Sequence, residues 1–246
     1  MLKKSRFVLA FALVMALGAS AIAYGQTGQA ATSNAFVDGT ITPTKLDKKK
    51  YKPIDLFSGV RTTIPGGVTG AQANPRSEYL SYPKNIKFDF EAGDVCTTLP
   101  PSGSTPQQAR DACPADSYIG AGVAEVQGPG VTPITDIIVS VFRGPAKNGI
   151  QLHTSSTTLG PAAPTVLGEV VTSKVSGFGQ ALTVPHAPET GGLMITKFNA
   201  KISKASKAVT ARCKNKNMTF QREVTYADGS KETAETTQTC KQKKSN

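Results

Sequence analysis

Residues 219–240 read TFQREVTYADGSKETAETTQTC, two Thr- and Glu-rich arms on either side of Asp228-Gly229-Ser230. An Asp-Gly pair between two extended stretches is a strong short-range mark of a β-hairpin, because glycine accepts the positive φ such a turn requires. Cys240 ends the second arm and Cys213 stands ahead of the first, so both feet of the hairpin carry a cysteine.

The rest of the chain repeats this grammar of short extended runs between turns. Ile134 to Phe142 (ITDIIVSVF) is its most hydrophobic segment past the N-terminus and predicts a central strand, ended by Arg143-Gly144-Pro145. Lys147-Asn148-Gly149 then turns the chain into a returning strand over 150–154. Ile86, Phe88 and Phe90 alternate with Lys87, Asp89 and Glu91, the pattern of a half-buried strand. Further strands are expected at 36–43, 54–60, 166–175, 180–184 and 193–202, with a narrow Gly/Ala-rich one at 117–126. Residues 48–53 read as a charged turn and 65–79 as loop. One helix is expected, and it is short. Thr105-Pro106-Gln107-Gln108 offers a capping hydroxyl, a proline at the first helical position and a reciprocal Gln, and Pro114 stops the helix after a turn or two. Ten or eleven strands and no helical stretch of twelve predict an all-β fold. The expectation is an antiparallel β-sandwich (Ig-like or jelly-roll-like) over 36–240, with a short helix between Cys96 and Cys113. Two stacked modules with a seam near 90–130 are the alternative.

The N-terminus has the layout of a secretory signal. Lys3, Lys4 and Arg6 precede an unbroken apolar run from Phe7 to Leu17, and Ala21 and Ala23 offer small residues at a cleavage site after Ala23. The run is too short to span a bilayer. Residues 1–23 are therefore expected to be a signal peptide, 24–35 a flexible lead-in and 241–246 a basic tail, on a secreted, extracellular chain associated with the cell wall or envelope. An even set of four cysteines in an exported chain reads as two disulfides, with three possible pairings. Nearest neighbours, Cys96 with Cys113 and Cys213 with Cys240, close the shortest loops, each worth about 3 kcal/mol on chain-entropy grounds. Zinc is disfavoured by the wide cysteine spacing.

The formal net charge is +11, unevenly spread. Residues 24–196 carry 13 basic and 13 acidic side chains, whereas 197–246 carry 12 and 4. Lys197, Lys201, Lys204, Lys207, Arg212, Lys214 and Lys216 run without an acid among them, which predicts a basic face. Its expected partners are anionic cell-wall polymer, acidic polysaccharide or lipid headgroups, not nucleic acid. Signals for catalysis are sparse. Tryptophan is absent, and His153 and His186 are the only histidines. No glycine pattern marks a nucleophilic serine or a phosphate loop. Asp89, Glu91 and Asp94 could in principle hold calcium or act on a glycoside, but they fall on the polar side of an amphipathic strand. No catalytic residue, metal or cofactor is assigned.

Several of these segments also resemble a group of uncharacterised secreted proteins of high-GC soil actinobacteria. The likeness runs through Ile41-Thr42-Pro43-Thr44-Lys45-Leu46, Lys48-Lys49-Lys50-Tyr51 and Pro53. It continues in Cys96, Gln108-Ala109-Arg110-Asp111-Ala112-Cys113, Gly120-Ala121-Gly122, Val141-Phe142-Arg143-Gly144 and Leu152-His153. It ends in Ala211-Arg212-Cys213 and Thr225-Tyr226-Ala227-Asp228-Gly229-Ser230 before Cys240. Residues 65–78 depart from it most. The resemblance implies export, disulfides and β-structure, and it assigns no activity to any residue. The function expected is that of an exported, non-enzymatic, envelope-associated binding or structural domain. An extracellular hydrolase using carboxylates or an unrecognised serine is the alternative.

Overall fold

The computed structural model describes residues 35–62, 75–91, 93–98, 100–128, 132–185 and 194–243. The expected signal peptide and nearly all of the lead-in, residues 65–74 of the expected loop, His186, and Lys244 in the tail lie outside these residues. Sixteen strands and one α-helix form among the described residues. They are β1 (Ala35–Thr42), β2 (Lys45–Leu46), β3 (Lys52–Pro53), β4 (Asp55–Thr62), β5 (Pro75–Pro83), β6 (Ile86–Phe88), β7 (Tyr118–Gln127) and β8 (Ile134–Arg143). Then come β9 (Gly149–Ser155), β10 (Thr165–Thr172), β11 (Phe178–Pro185), β12 (Met194–Ile202), β13 (Val209–Ala211), β14 (Asn217–Tyr226), β15 (Lys231–Thr239) and β16 (Lys241–Gln242). Helix α1 spans Pro106–Asp111, between Cys96 and Cys113.

Eleven strands form one antiparallel sheet in the order β1-β4-β12-β7-β8-β9-β10-β11-β5-β14-β15. Strands from either side of residues 90–130 alternate in it, since β12 lies between β4 and β7. The sheet curls until its two ends meet, giving a near-barrel whose inward side chains face one another as the layers of a sandwich would. Alternation fixes which side chains those are. In β14 every second residue from Met218 to Tyr226 is buried, and Ile137, Val139 and Val141 of β8 point inward with Ile150 and Leu152 of β9. The local sequence signals are present in the structure. The hairpin turns at Gly229 with φ 82°, and Thr105 and Gln108 cap α1 reciprocally at 3.2 and 2.8 Å. Both disulfides join nearest neighbours.

One end of the barrel is plugged by a second, three-stranded sheet, β3-β13-β6. Its strands enter from the ends of β4, β5 and β12 that lie at that pole. They insert Ile54, Ile86, Phe88 and Val209 into the core, with Phe88 edge-on to Tyr82 at 4.7 Å and Phe90 edge-on to Phe88 at 5.6 Å. A parallel pairing of β16 with β2 and the Cys213–Cys240 bridge tie the C-terminus to the same pole.

Three features differ from the expectations. Residues 75–79, read as loop, open strand β5. Pro75 starts the strand, where a proline is tolerated, and Arg76 and Glu78 hide the apolar alternation. The short strands β2, β13 and β16 lie where no strand is expected, and β3 lies at the end of the expected charged turn. In β12 a register shift between Ile195 and Lys197 bulges Thr196, so that Ile195 and Phe198 both face the interior rather than opposite sides.

The seam between β1 and the C-terminal hairpin is closed by side chains, not by a ladder. Gln238 of β15 accepts from Ile41 N (2.6 Å) and donates to Ile41 O (3.2 Å), standing in for a missing strand partner. The Phe220 ring of β14 lies over Gly39, where any Cβ would fall inside the ring's van der Waals surface. We expect Gly39→Ala to cost about 1–3 kcal/mol through overpacking. Gly39→Ala combined with Phe220→Leu should recover part of that loss in urea unfolding, a coupling absent if the two positions act independently.

Candidate functional site

An eleven-stranded closed sheet is wider than side chains alone readily fill, and several inward positions here are small: Ser58, Ala124 and Ala200. The barrel interior accordingly holds a cavity of about 370 Å³, within the range of small-molecule sites. Its walls are almost wholly apolar, among them Leu80, Val126, Val141, Leu152, Ile195 and Phe198. Leu159, Ala162 and Pro164 reach it from the β9–β10 connection. Asp136 anchors that connection by accepting from the Ser156 and Thr157 hydroxyls at 2.9 and 2.6 Å and from Thr157 N and Thr158 N at 2.8 and 3.0 Å. These bonds, the Thr157 hydroxyl first, hold its carboxyl well below the usual range.

Few polar side chains line the cavity. Tyr82 Oη and Ser58 Oγ are 3.2 Å apart, and burial pushes the Tyr82 phenol up to about 12, so it stays a neutral hydroxyl. Glu78 is the one ionised group among the described wall residues, and its carboxylate is met by Arg222. Nη2 donates to Oε1 at 2.8 Å and Nε to Oε2 at 3.1 Å. The same guanidinium donates to Arg61 O at 2.6 Å and Thr62 Oγ1 at 2.9 Å. Arg222 is 0% exposed and Glu78 5%, so the pair is a true interior ion pair. Neither residue stands out in the sequence. Both sit in strands rich in surface-type residues, and only the closure of the barrel turns their side chains inward.

The positions singled out from sequence fall elsewhere. His153 is fully buried on the outer face of β9, beneath the excursion closed by Cys96–Cys113. Its Nε2 lies 2.9 Å from Ser104 Oγ. The Ser104 hydroxyl also lies 2.6 Å from Pro101 O, to which it can donate. With Ser155 Oγ donating to Ser104 O at 2.7 Å, the pair clamps the excursion to the barrel. Burial lowers the His153 pKa. Asp89 and Glu91 are exposed, as the alternation implied, and Glu91 faces Lys147 at 3.8 Å. Among the described residues no group of three or more His, Cys, Asp or Glu is placed to hold a metal ion. No described helix is long and apolar enough to cross a membrane.

The seven basic residues fall in β12, in the turn that follows it and in the plug. Lys197 and Lys201 point outward from β12, and Lys201 Nζ lies 3.4 Å from Asp55. Asp55 also accepts from Lys204 N at 2.8 Å, the main reason its pKa is lowered. Lys207 sits in a left-handed turn after residues 204–206. Arg212, Lys214 and Lys216 belong to the plugged pole. No protein-family model matches the chain, and no curated protein is similar to it in sequence.

Arg222→Met removes the interior cation that faces the Glu78 carboxylate and should cost about 3–5 kcal/mol, while Glu78→Leu with Arg222→Met should regain more than half of it in denaturant unfolding. The pH dependence of stability reports on His153. Because its folded pKa lies below that of the unfolded chain, its contribution is complete above pH 6.5 and is lost as the pH falls through the lowered folded value. The melting temperature should therefore drop as the pH falls below about 6.5, and drop less in His153→Gln.

Proposed function

We propose that this chain is an exported, non-enzymatic binding protein that carries a small apolar molecule inside its barrel, at or near the cell envelope. The observation that supports this best is the cavity itself: an apolar chamber of about 370 Å³ with few polar groups to orient a guest. A ligand that suits it has a hydrocarbon body and at most one or two hydrogen-bonding groups. An apolar guest gains by leaving water, and the hydroxyl and carboxylate groups of Ser58, Tyr82 and Glu78 can meet its polar end. Export is supported by the signal-like N-terminus, by the paired cysteines and by the likeness to secreted actinobacterial proteins. The binding role is favoured over hydrolysis because the contact between Ser104 and His153 lies outside the cavity.

Titration with N-phenyl-1-naphthylamine, which fluoresces when it leaves water, tests the reading. The wild-type protein should take up one probe per chain. Ala124→Phe with Ala200→Phe, which fills the chamber, should weaken uptake by about tenfold or more while the melting temperature is kept. Val123→Phe on the outer wall should leave it unchanged. Equal uptake by the filled and wild-type proteins would exclude the cavity as the site.

A further inference from the structure

The plugged pole gathers basic residues from four separate parts of the chain. Segments 45–53, 84–88, 209–216 and 241–243 contain Lys45, Lys48, Lys49, Lys50, Lys52, Lys84, Lys87, Arg212, Lys214, Lys216, Lys241 and Lys243, against a single acid, Asp47. All twelve are exposed except Arg212, which is half-buried. Direct contacts bring them together. Lys241 pairs with Lys45 across β16 and β2, Gln242 donates to Lys214 O at 3.2 Å, and Cys213 N donates to Asp47 O at 2.8 Å. Arg212 N donates to Asn85 O at 3.0 Å.

Tyr51 is the centre of the cluster. The Lys87 ammonium and the Arg212 guanidinium each lie 4.7 Å from its ring centroid, and its hydroxyl donates to Lys84 O at 3.1 Å. Two cations held against one ring are within twice that distance of each other, and their repulsion is relieved by an anion shared between them. Asp47 does not supply it. Its carboxylate is engaged by Lys49 N and Lys50 N at 2.7 and 2.8 Å. The three-stranded sheet, the β2–β16 pair and the Cys213–Cys240 bridge hold these segments side by side, so the charges are gathered at one pole before any ligand arrives.

We infer that the plugged pole is a polyanion-binding site whose ligand is a flexible polymer bearing closely spaced phosphate groups. Many fixed cations spread over one pole match a chain of repeating anions better than a lone ion. A lipid surface is the weaker fit. Among the described residues the exposed large hydrophobic side chains are Val123, Ile138 and Leu167, on the barrel wall in β7, β8 and β10. None lies at this pole to enter a bilayer. The site also differs from the run 197–216 as the sequence presents it: Lys201 is engaged by Asp55, while Lys45–Lys52, Lys84 and Lys87 join the cluster.

The test uses the purified full-length chain and poly(glycerol phosphate) as the probe, followed by fluorescence anisotropy. Affinity should fall steeply between about 50 and 200 mM salt, with the log–log slope reduced by about 0.7 for each lysine neutralised. Lys49→Gln, Lys214→Gln, Lys216→Gln and Lys243→Gln together, which leave the Tyr51 packing untouched, should weaken binding by about tenfold or more. Lys197→Gln with Lys201→Gln should change it less than about twofold. Arg212→Gln, read separately with its melting curve, should lie between the two. No binding at the lowest salt, or an equal loss in the two lysine sets, overturns the site. Tighter binding to vesicles of pure phosphatidylglycerol than to the polymer overturns the choice of ligand in favour of a membrane surface.

Discussion

Arg222 is a permanent charge without access to water, and the shape of the barrel depends on how that charge is answered. Leaving it unpaired would be prohibitive, and a carboxylate alone would satisfy only part of its five-donor fork. The remaining donors go to Arg61 O and Thr62 Oγ1 at the end of β4, on the opposite side of the seam from β14. One side chain therefore links β5, β14 and β4, and the sheet is held curled while it is satisfied. Gln238 on Ile41 and Phe220 on Gly39 complete the closure, but those contacts are individually modest. The same ion pair places an ionised group in an otherwise apolar chamber, so closure and the polarity of the candidate site share one origin.

Closure of this type also solves the edge problem of an open sheet. Strand β15 (KETAETTQT) has Ala234 as its one apolar residue, and its free side is occupied by Gln238 reaching to β1. A charged, side-chain-blocked edge is a poor template for another chain. The cost is that β15 adds little to the core. The Cys213–Cys240 bridge and the β2–β16 pairing compensate by fastening the feet of the hairpin to the plug.

The class of fold was legible because its signals are local. The Asp-Gly turn, the apolar run at 134–142, the alternation at 86–90 and the Thr105–Gln108 box each act over a few residues, and each forms as its chemistry dictates. What escaped reading is non-local. Strand β5 was concealed because Glu78, which looks like a surface residue, is buried against a partner 144 positions away. The bulge at Thr196 changed which residues of β12 face inward. The cavity could not be seen at all, since it arises from small side chains in three strands, Ser58, Ala124 and Ala200, that meet only after closure. The basic cluster was half legible. Charge density pointed to the C-terminal fifth, but the pole also takes its lysines from 45–52 and 84–87, while Lys201 is drawn away to Asp55.

The strand order sets a timetable for synthesis. Strand β4 lies between β1 and β12, so its second neighbour arrives well over a hundred residues later, and the seam beside β1 waits for the final hairpin. A nascent chain therefore cannot complete the barrel from its N-terminal half, however long it pauses. It must remain open until the C-terminal hairpin has emerged. Non-local pairing of this kind folds slowly, and a polypeptide that is still open can pass a narrow channel, as the export proposed above requires. An architecture completed only by its last strand keeps the polypeptide threadable until synthesis is over.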